Sequence, residues 1–203
     1  YKGEMIKEYF MNYQSYNSDF TIGLKEHAVT IHKMPSEDWQ VTLVDTGLNT
    51  MTGGRIKQIE DYIDGDEFMV TYGDGLCDVD ICKLLEFHRE YGKMATITTV
   101  KPEGRFGVLN IQDTVITDFR EKSVNDMGWI NGGFMVLNKK IFRFIKDDQT
   151  VFEKEPLEQA AAERELIAFK HDKFWRCMDT QRDKMILENL WESNSAPWKN
   201  WND

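Results

Sequence analysis

The chain reads as one α/β domain: a mixed, mainly parallel sheet flanked by helices, with small β-hairpin additions. Three observations carry this. Its 203 residues suffice for a single domain with a sizeable core. Short β-branched and aromatic runs alternate with stretches of helical period, the pattern of strand–helix units. One apolar run, Phe68 to Tyr72, stops abruptly at Gly73-Asp74-Gly75. That run reads as a buried strand whose carboxyl end carries one acid between two glycines, which let a ligand approach closely. Ligands of open α/β sheets bind outside the carboxyl ends of the strands, so Asp74 is the first candidate functional residue. The competing reading is a turn aspartate in a tight strand-to-helix connection.

Taken in order, Ile6, Tyr9, Phe10 and Tyr13 recur at helical spacing and predict an amphipathic helix over Glu4 to Tyr13. Phe20 to Leu24 and Ala28 to His32 predict a hairpin, and Gln40 to Asp45 a strand. Thr52 is placed to cap a helix whose apolar face is Ile56, Ile59 and Ile63. Gly53 and Gly54 in its first turn predict exposed N–H groups at the positive end of the helix dipole, suited to an anion or a base edge; the alternative is glycines that only permit close packing. Asp78 is placed to cap the next helix, Val79 to Tyr91. Ala95 to Val100 is a strand, and residues 107–111 and 115–119 a second hairpin. Gly132 and Gly133 interrupt the strand Trp129 to Leu137, which marks a bulge or a close backbone approach. Asn131 beside them offers both a donor and an acceptor to a sugar hydroxyl. Helices follow over Lys139 to Lys146 and Asp148 to Glu165, the second broken near Pro156. Short strands over Leu166 to His171 and Phe174 to Met178 precede a last helix opening at Asp179-Thr180. Asp179 thus repeats the situation of Asp74.

The net charge of −10 and the lack of a basic stripe exclude a nucleic-acid polymer as partner. They leave room for a small phosphorylated substrate, which needs only local positive charge and a metal. The three cysteines, Cys77, Cys82 and Cys177, lack metal-ligand spacing and read as reduced thiols of a cytoplasmic protein. The four histidines are scattered and suggest no zinc site. No apolar run is long enough to span a bilayer, and no signal peptide is expected. Asp74 and Asp179, at strand ends of different units, are expected to converge on one Mg²⁺. That ion prefers one or two carboxylates with waters and substrate phosphates. Such a site suits phosphoryl or nucleotidyl transfer. Lys122 is a candidate for charge near a sugar phosphate, against a plain surface lysine.

Six segments occur in order: Val41 to Gly47, Met51-Thr52-Gly53-Gly54-Arg55, Thr71 to Gly75, Pro102 to Gly107, Trp129 to Phe134, and Met178-Asp179-Thr180. Each is weak singly, but the ordered set, running over nearly the whole chain, resembles the sugar-nucleotide pyrophosphorylases. Among them it looks like the cytidylyltransferases that act on glucose 1-phosphate. The resemblance implies a Rossmann-like sheet of the nucleotide-diphospho-sugar transferase type. It implies synthesis of CDP-glucose and pyrophosphate from CTP and glucose 1-phosphate, serving 3,6-dideoxyhexoses of bacterial O-antigen lipopolysaccharide. It further implies that Asp74 and Asp179 hold Mg²⁺. By the same pattern Asn49, Thr52, Gly53, Gly54 and Gly73 line the cytidine side. Glu121, Lys122, Asn131, Gly132 and Gly133 face the sugar and its phosphate, with Lys122 counted among the catalytic residues.

The chain departs from the family pattern in one large respect. The Gly-Gly-x-Gly-Thr-Arg-Leu loop and Lys-Pro-Lys-Pro-type segment that grip the triphosphate are not found in it. The expectation is a single nucleotidyltransferase domain over 1–203 without its first βα unit, from a longer intact protein and inactive by itself, with an exposed sheet edge. A smaller departure is Ser123 after Glu121-Lys122, where proline is usual. Alternatives are a uridylyl- or thymidylyltransferase, and a truncated chain that binds sugar nucleotide without turnover. A metal-dependent glycosyltransferase would need an Asp-x-Asp pair, which Asp74-Gly75-Leu76 does not supply. Homo-oligomerisation is expected, with the Phe20 to His32 hairpin and the tryptophan-rich tail as candidate contacts.

Overall fold

A computed structural model describes residues 2–33, 37–101, 107–112, 115–121 and 128–201. Helices α1 (Gly3–Met11) and α2 (Tyr13–Tyr16) lead into strands β1 (Asp19–Gly23) and β2 (Ala28–Lys33), an antiparallel ribbon. Helix α3 (Thr52–Gln58) precedes β3 (Glu67–Val70), β4 (Gly75–Cys77), α4 (Ile81–Tyr91) and β5 (Ala95–Val100). A ribbon of β6 (Gly107–Gln112) and β7 (Val115–Glu121) is followed by β8 (Ile130–Asn138) and a 3₁₀ segment, Lys139–Phe144. Helix α5 (Glu155–Ala162), β9 (Leu166–His171), β10 (Trp175–Cys177) and α6 (Gln181–Glu192) complete the chain. Among the described residues no helix is long and apolar enough to cross a membrane.

The central sheet has the order β3–β8–β5–β9. Strands β3 and β5 both pair antiparallel with β8, and β9 pairs parallel with β5. Three of the four strands therefore run in one direction, with β8 reversed between two of them. This is in keeping with the expected mixed sheet, but two of its three hydrogen-bonded pairs are antiparallel. Alternate residues of a strand face opposite sides, which explains the two layers. Ile97, Met135 and Leu137 face a core with Ile56, Ile141, Phe142, Phe152, Leu157 and Ala160. Burying each large side chain contributes about 1.5–3 kcal/mol. On the other face α4 presents buried Leu84 and His88, and His88 Nδ1 lies 2.8 Å from Thr96 Oγ1.

Several local expectations are corrected. Residues 37–47 form neither helix nor strand. Val41 is exposed there; β propensity needs a partner strand, and no described strand pairs with this segment. Met51 rather than Thr52 is the N-cap of α3. Asp80 rather than Asp78 caps α4, accepting from Lys83 N at 3.0 Å. Pro156 opens α5 instead of breaking it; in the first turn its missing N–H costs nothing. At the other end of the chain, α1, α2 and β2 bury no residue. The register pairs Phe20 with Ile31 and Ile22 with Val29, so all four share one exposed apolar face.

Candidate functional site

The two acids are brought together by backbone pairing. Strand β4 begins at Gly75, one residue after Asp74, and β10 ends at Cys177, two residues before Asp179. Gly75 lies opposite Cys177 in the antiparallel ribbon, and Met178 N donates to Asp74 O at 2.8 Å. Both acids are exposed at the same end of the ribbon, but their settings differ: Asp179 follows β10 just before α6 as expected, whereas Asp74 lies four residues past β3 and leads into strand β4 instead of a helix. Asp179 Oδ2 accepts from Cys177 Sγ at 2.9 Å. Thr180 then caps α6 in a reciprocal capping box with Asp183.

The strand interruption is a bulge. Ile97 lies opposite Met135 and Thr99 opposite Asn131, so β8 advances four residues where β5 advances two. Gly132 and Gly133 lie in the excess, and both expected causes operate. A Cβ on Gly132 would meet Val100 Cγ1 at 2.8 Å, and Gly133 has φ +88° with the Tyr72 ring 2.5 Å from where its Cβ would stand. The bulge turns Asn131 toward Tyr72: Asn131 Nδ2 donates to Tyr72 Oη at 3.1 Å, and Asn131 Oδ1 accepts from Gly133 N at 2.9 Å. Trp175 Nε1 on β10 donates to Gly132 O at 2.8 Å, which ties the acidic ribbon to the bulge.

From Tyr72 the network crosses to α3. Tyr72 Oη donates to Glu153 Oε1 at 2.7 Å, and Glu153 Oε2 accepts from Thr52 Oγ1 at 2.6 Å. Thr52 Oγ1 in turn accepts from Phe152 N at 2.9 Å. Burial raises the Tyr72 pKa, and the adjacent Glu153 carboxylate and the Asp74 charge raise it further. The phenol therefore stays protonated. Tyr72, Glu153 and Trp175 were not singled out in the sequence. A tyrosine adjoining Gly73-Asp74 was the one available signal; Glu153 had none.

The first turn of α3 departs from expectation. Gly53 N and Gly54 N donate to Thr150 O at 2.9 and 3.3 Å, and Met51 N to Asp148 O at 2.8 Å. These amides are not free for an anion, because the 148–150 segment reaches them first. The glycines permit that approach: Cβ atoms would stand 2.7 Å from Thr150 O and 2.5 Å from Asp148 Cα. Asn49 and Gly73 are exposed. Glu121 ends β7 opposite Gly107, and Lys122 lies outside the described residues.

Cys77, Asp78 and His171 place potential ligand atoms within 4.8 Å of one another. His171 Nε2 lies 2.8 Å from Asp78 Oδ1 and 3.2 Å from Phe174 O. Two acceptors mark that nitrogen as the protonated one, so it donates and does not ligate. Burial pushes the Cys77 thiol up to about 11, which keeps it a neutral packing group.

A sequence profile of the family described as nucleotidyl transferase matches residues 10–203. The chain belongs to this nucleotidyl transferase family. It is 50% identical over 202 residues to the glucose-1-phosphate cytidylyltransferase of Salmonella typhi, covering 99% of this chain and 79% of that protein. It is 39% identical, with the same coverages, to the probable glucose-1-phosphate cytidylyltransferase of Bacillus subtilis (strain 168). Among solved structures, HddC from Yersinia pseudotuberculosis superposes with a TM-score of 0.52 at 26% identity, over 71% of this chain and 64% of that one. A UDP-glucose pyrophosphorylase complexed with UDP-glucose gives 0.55 at 15% identity, over 74% and 65%, a likeness of fold alone. For this nucleotidyl transferase the mixed sheet is thus the fold of its neighbours.

Proposed function

We propose that the protein makes CDP-glucose and pyrophosphate from CTP and glucose 1-phosphate. The carrying observation is the 50% identity over 99% of the chain to a glucose-1-phosphate cytidylyltransferase. The supporting geometry is the meeting of two exposed acids with a bulged strand that presents Asn131. In this reading a phosphate oxygen of glucose 1-phosphate attacks the α-phosphorus of CTP in line. The new P–O bond forms as the bond to the β-phosphate oxygen breaks, and pyrophosphate leaves with that electron pair.

The residues have distinct parts. Asp74 and Asp179 hold Mg²⁺; two exposed carboxylates at one ribbon end form a hard oxygen donor set that fits this ion. Bound there, the metal supplies neutralisation of phosphate charge. Asn49, Thr52 and Gly73 line the cytidine side, with Gly53 and Gly54 setting the position of that turn by packing. Asn131 offers its remaining amide hydrogen and carbonyl lone pair to sugar hydroxyls. Gly132 and Gly133 shape the backbone beside it, and Glu121 and Lys122 are assigned to the sugar phosphate by the family pattern. The protein acts in the cytoplasm, in O-antigen precursor synthesis, as a homo-oligomer that covers the apolar face of Phe20, Ile22, Val29 and Ile31. Sedimentation as a monomer at micromolar concentration would count against that assembly.

Pyrophosphate release by the full-length protein with CTP, UTP and dTTP, each with glucose 1-phosphate and Mg²⁺, tests the central reading. CTP is expected to give the highest kcat/KM. Equal or better turnover of UTP or dTTP would overturn the cytidylyl assignment, and no turnover of any would overturn the activity.

A further inference from the structure

Tyr72 joins two parts of the site through side chains, the start of α3 by way of Glu153 and the β8 bulge by way of Asn131. A carboxylate only accepts and a phenol has a single hydrogen. The 2.7 Å contact therefore commits the Tyr72 hydrogen to Glu153, and the 3.1 Å contact commits a phenol lone pair to the Asn131 amide. That second bond identifies which end of the Asn131 amide is nitrogen, and Gly133 N identifies the oxygen end from the other side. On the far side, Glu153 is held by Thr52 at the start of α3. The ring packs against the positive-φ Gly133 backbone, which leaves no room for a Cβ there.

We propose that Tyr72 is a positioning residue that couples the nucleotide side of the site to the sugar-phosphate side. It does so through the chain Thr52–Glu153–Tyr72–Asn131, without touching either substrate's reacting atoms. The inference rests on the functional reading above. Its consequence is specific: a change at Thr52, on the nucleotide side, is felt by glucose 1-phosphate only while the phenol oxygen is present. Each link is a hydrogen bond whose loss reads as about a fivefold to tenfold change in an equilibrium. Side chains linked in one network respond non-additively, unlike independent sites.

The experiment is steady-state kinetics on four proteins: wild type, Tyr72→Phe, Thr52→Val and the double variant. Circular dichroism spectra are recorded alongside. Tyr72→Phe keeps the ring that packs on Gly133 and removes one oxygen. It is expected to raise KM for glucose 1-phosphate about fivefold to tenfold, with a smaller change in kcat and a native circular dichroism spectrum. Thr52→Val is expected to raise KM for glucose 1-phosphate a fewfold in wild type and not at all beyond the Tyr72→Phe value in the double variant. Additive effects, or a Thr52→Val protein whose KM for glucose 1-phosphate is unchanged, would overturn the coupling while leaving the activity assignment intact. A wild-type protein that does not turn over glucose 1-phosphate with any nucleotide would overturn the assignment and the coupling with it. Should Tyr72→Phe not fold, the Thr52→Val result decides alone.

Discussion

Replacing Gly133 by alanine tests how the bulge builds the site. The backbone there has φ +88°, and the new methyl carbon would stand 2.5 Å from Tyr72 Cδ2 and 3.1 Å from Cε2. Left-handed backbone costs a residue with a Cβ about 1–2 kcal/mol, and forcing a methyl into a filled site typically adds about 1–3 kcal/mol. The ring cannot swing aside freely, since its hydroxyl is bonded to both Glu153 and Asn131. Gly133→Ala is therefore expected to destabilise the fold by about 2–4 kcal/mol, the lower part of the summed range because some strain relaxes. For a chain of this size that is a fall in melting temperature of roughly 5–15 °C. Gly73→Ala is the internal comparison: no atom lies within 4 Å of its Cβ position and its φ is not positive. Its stability should stay within about 0.5 kcal/mol of wild type. Urea denaturation followed by circular dichroism measures both. A Gly133→Ala loss below about 1 kcal/mol, or one matched by Gly73→Ala, would refute the claim that close approach to Tyr72 dictates glycine at 133.

Two further outcomes are expected. Asp74→Asn or Asp179→Asn should cut Mg²⁺-dependent pyrophosphate release at least a hundredfold, on the order of 3 kcal/mol of barrier, with an unchanged circular dichroism spectrum. A variant with wild-type kcat would remove that residue from the proposed metal site. Burial lowers the pKa of His88, with the Glu67 carboxylate 3.9 Å away opposing and Arg89 reinforcing the shift. The folded state thus binds this proton more weakly than the unfolded state, so the contribution is full above the unfolded value of about 6.5 and is lost as pH falls through it toward the folded pKa. Stability should drop more steeply in wild type than in His88→Gln as pH falls below about 6.5; identical slopes in urea midpoints would contradict this.

How much was legible in the residues follows from the range of the interactions. Strand and helix signals at 95–100, 166–171 and the β1–β2 hairpin depend on local period, and the structure has those elements. Asp74 and Asp179 stood out because each follows an apolar run at a turn; Asp74 then leads into β4 and Asp179 follows β10, and the pairing of those two strands placed their backbones side by side. The glycine pair at 132 and 133 announced a bulge, and a bulge formed. The pair at 53 and 54 announced either open amides or close packing, and only the 148–150 segment, distant in sequence, decided for packing. The segment at 40–45 failed for a related reason: propensity supplies one strand, not its neighbour.

The sequence by itself determined strands such as 95–100 and 166–171, the β1–β2 hairpin, and which acids and glycines stand at turns beside strands. Tertiary structure alone decided that β8 runs reversed between β3 and β5, and that Thr52, Glu153, Tyr72 and Asn131 form one network. Those contacts join residues 101, 81 and 59 positions apart. Local periodicity reports only which face a residue presents. Which partner it meets there depends on sheet order and register, and these follow from burying the whole core at once.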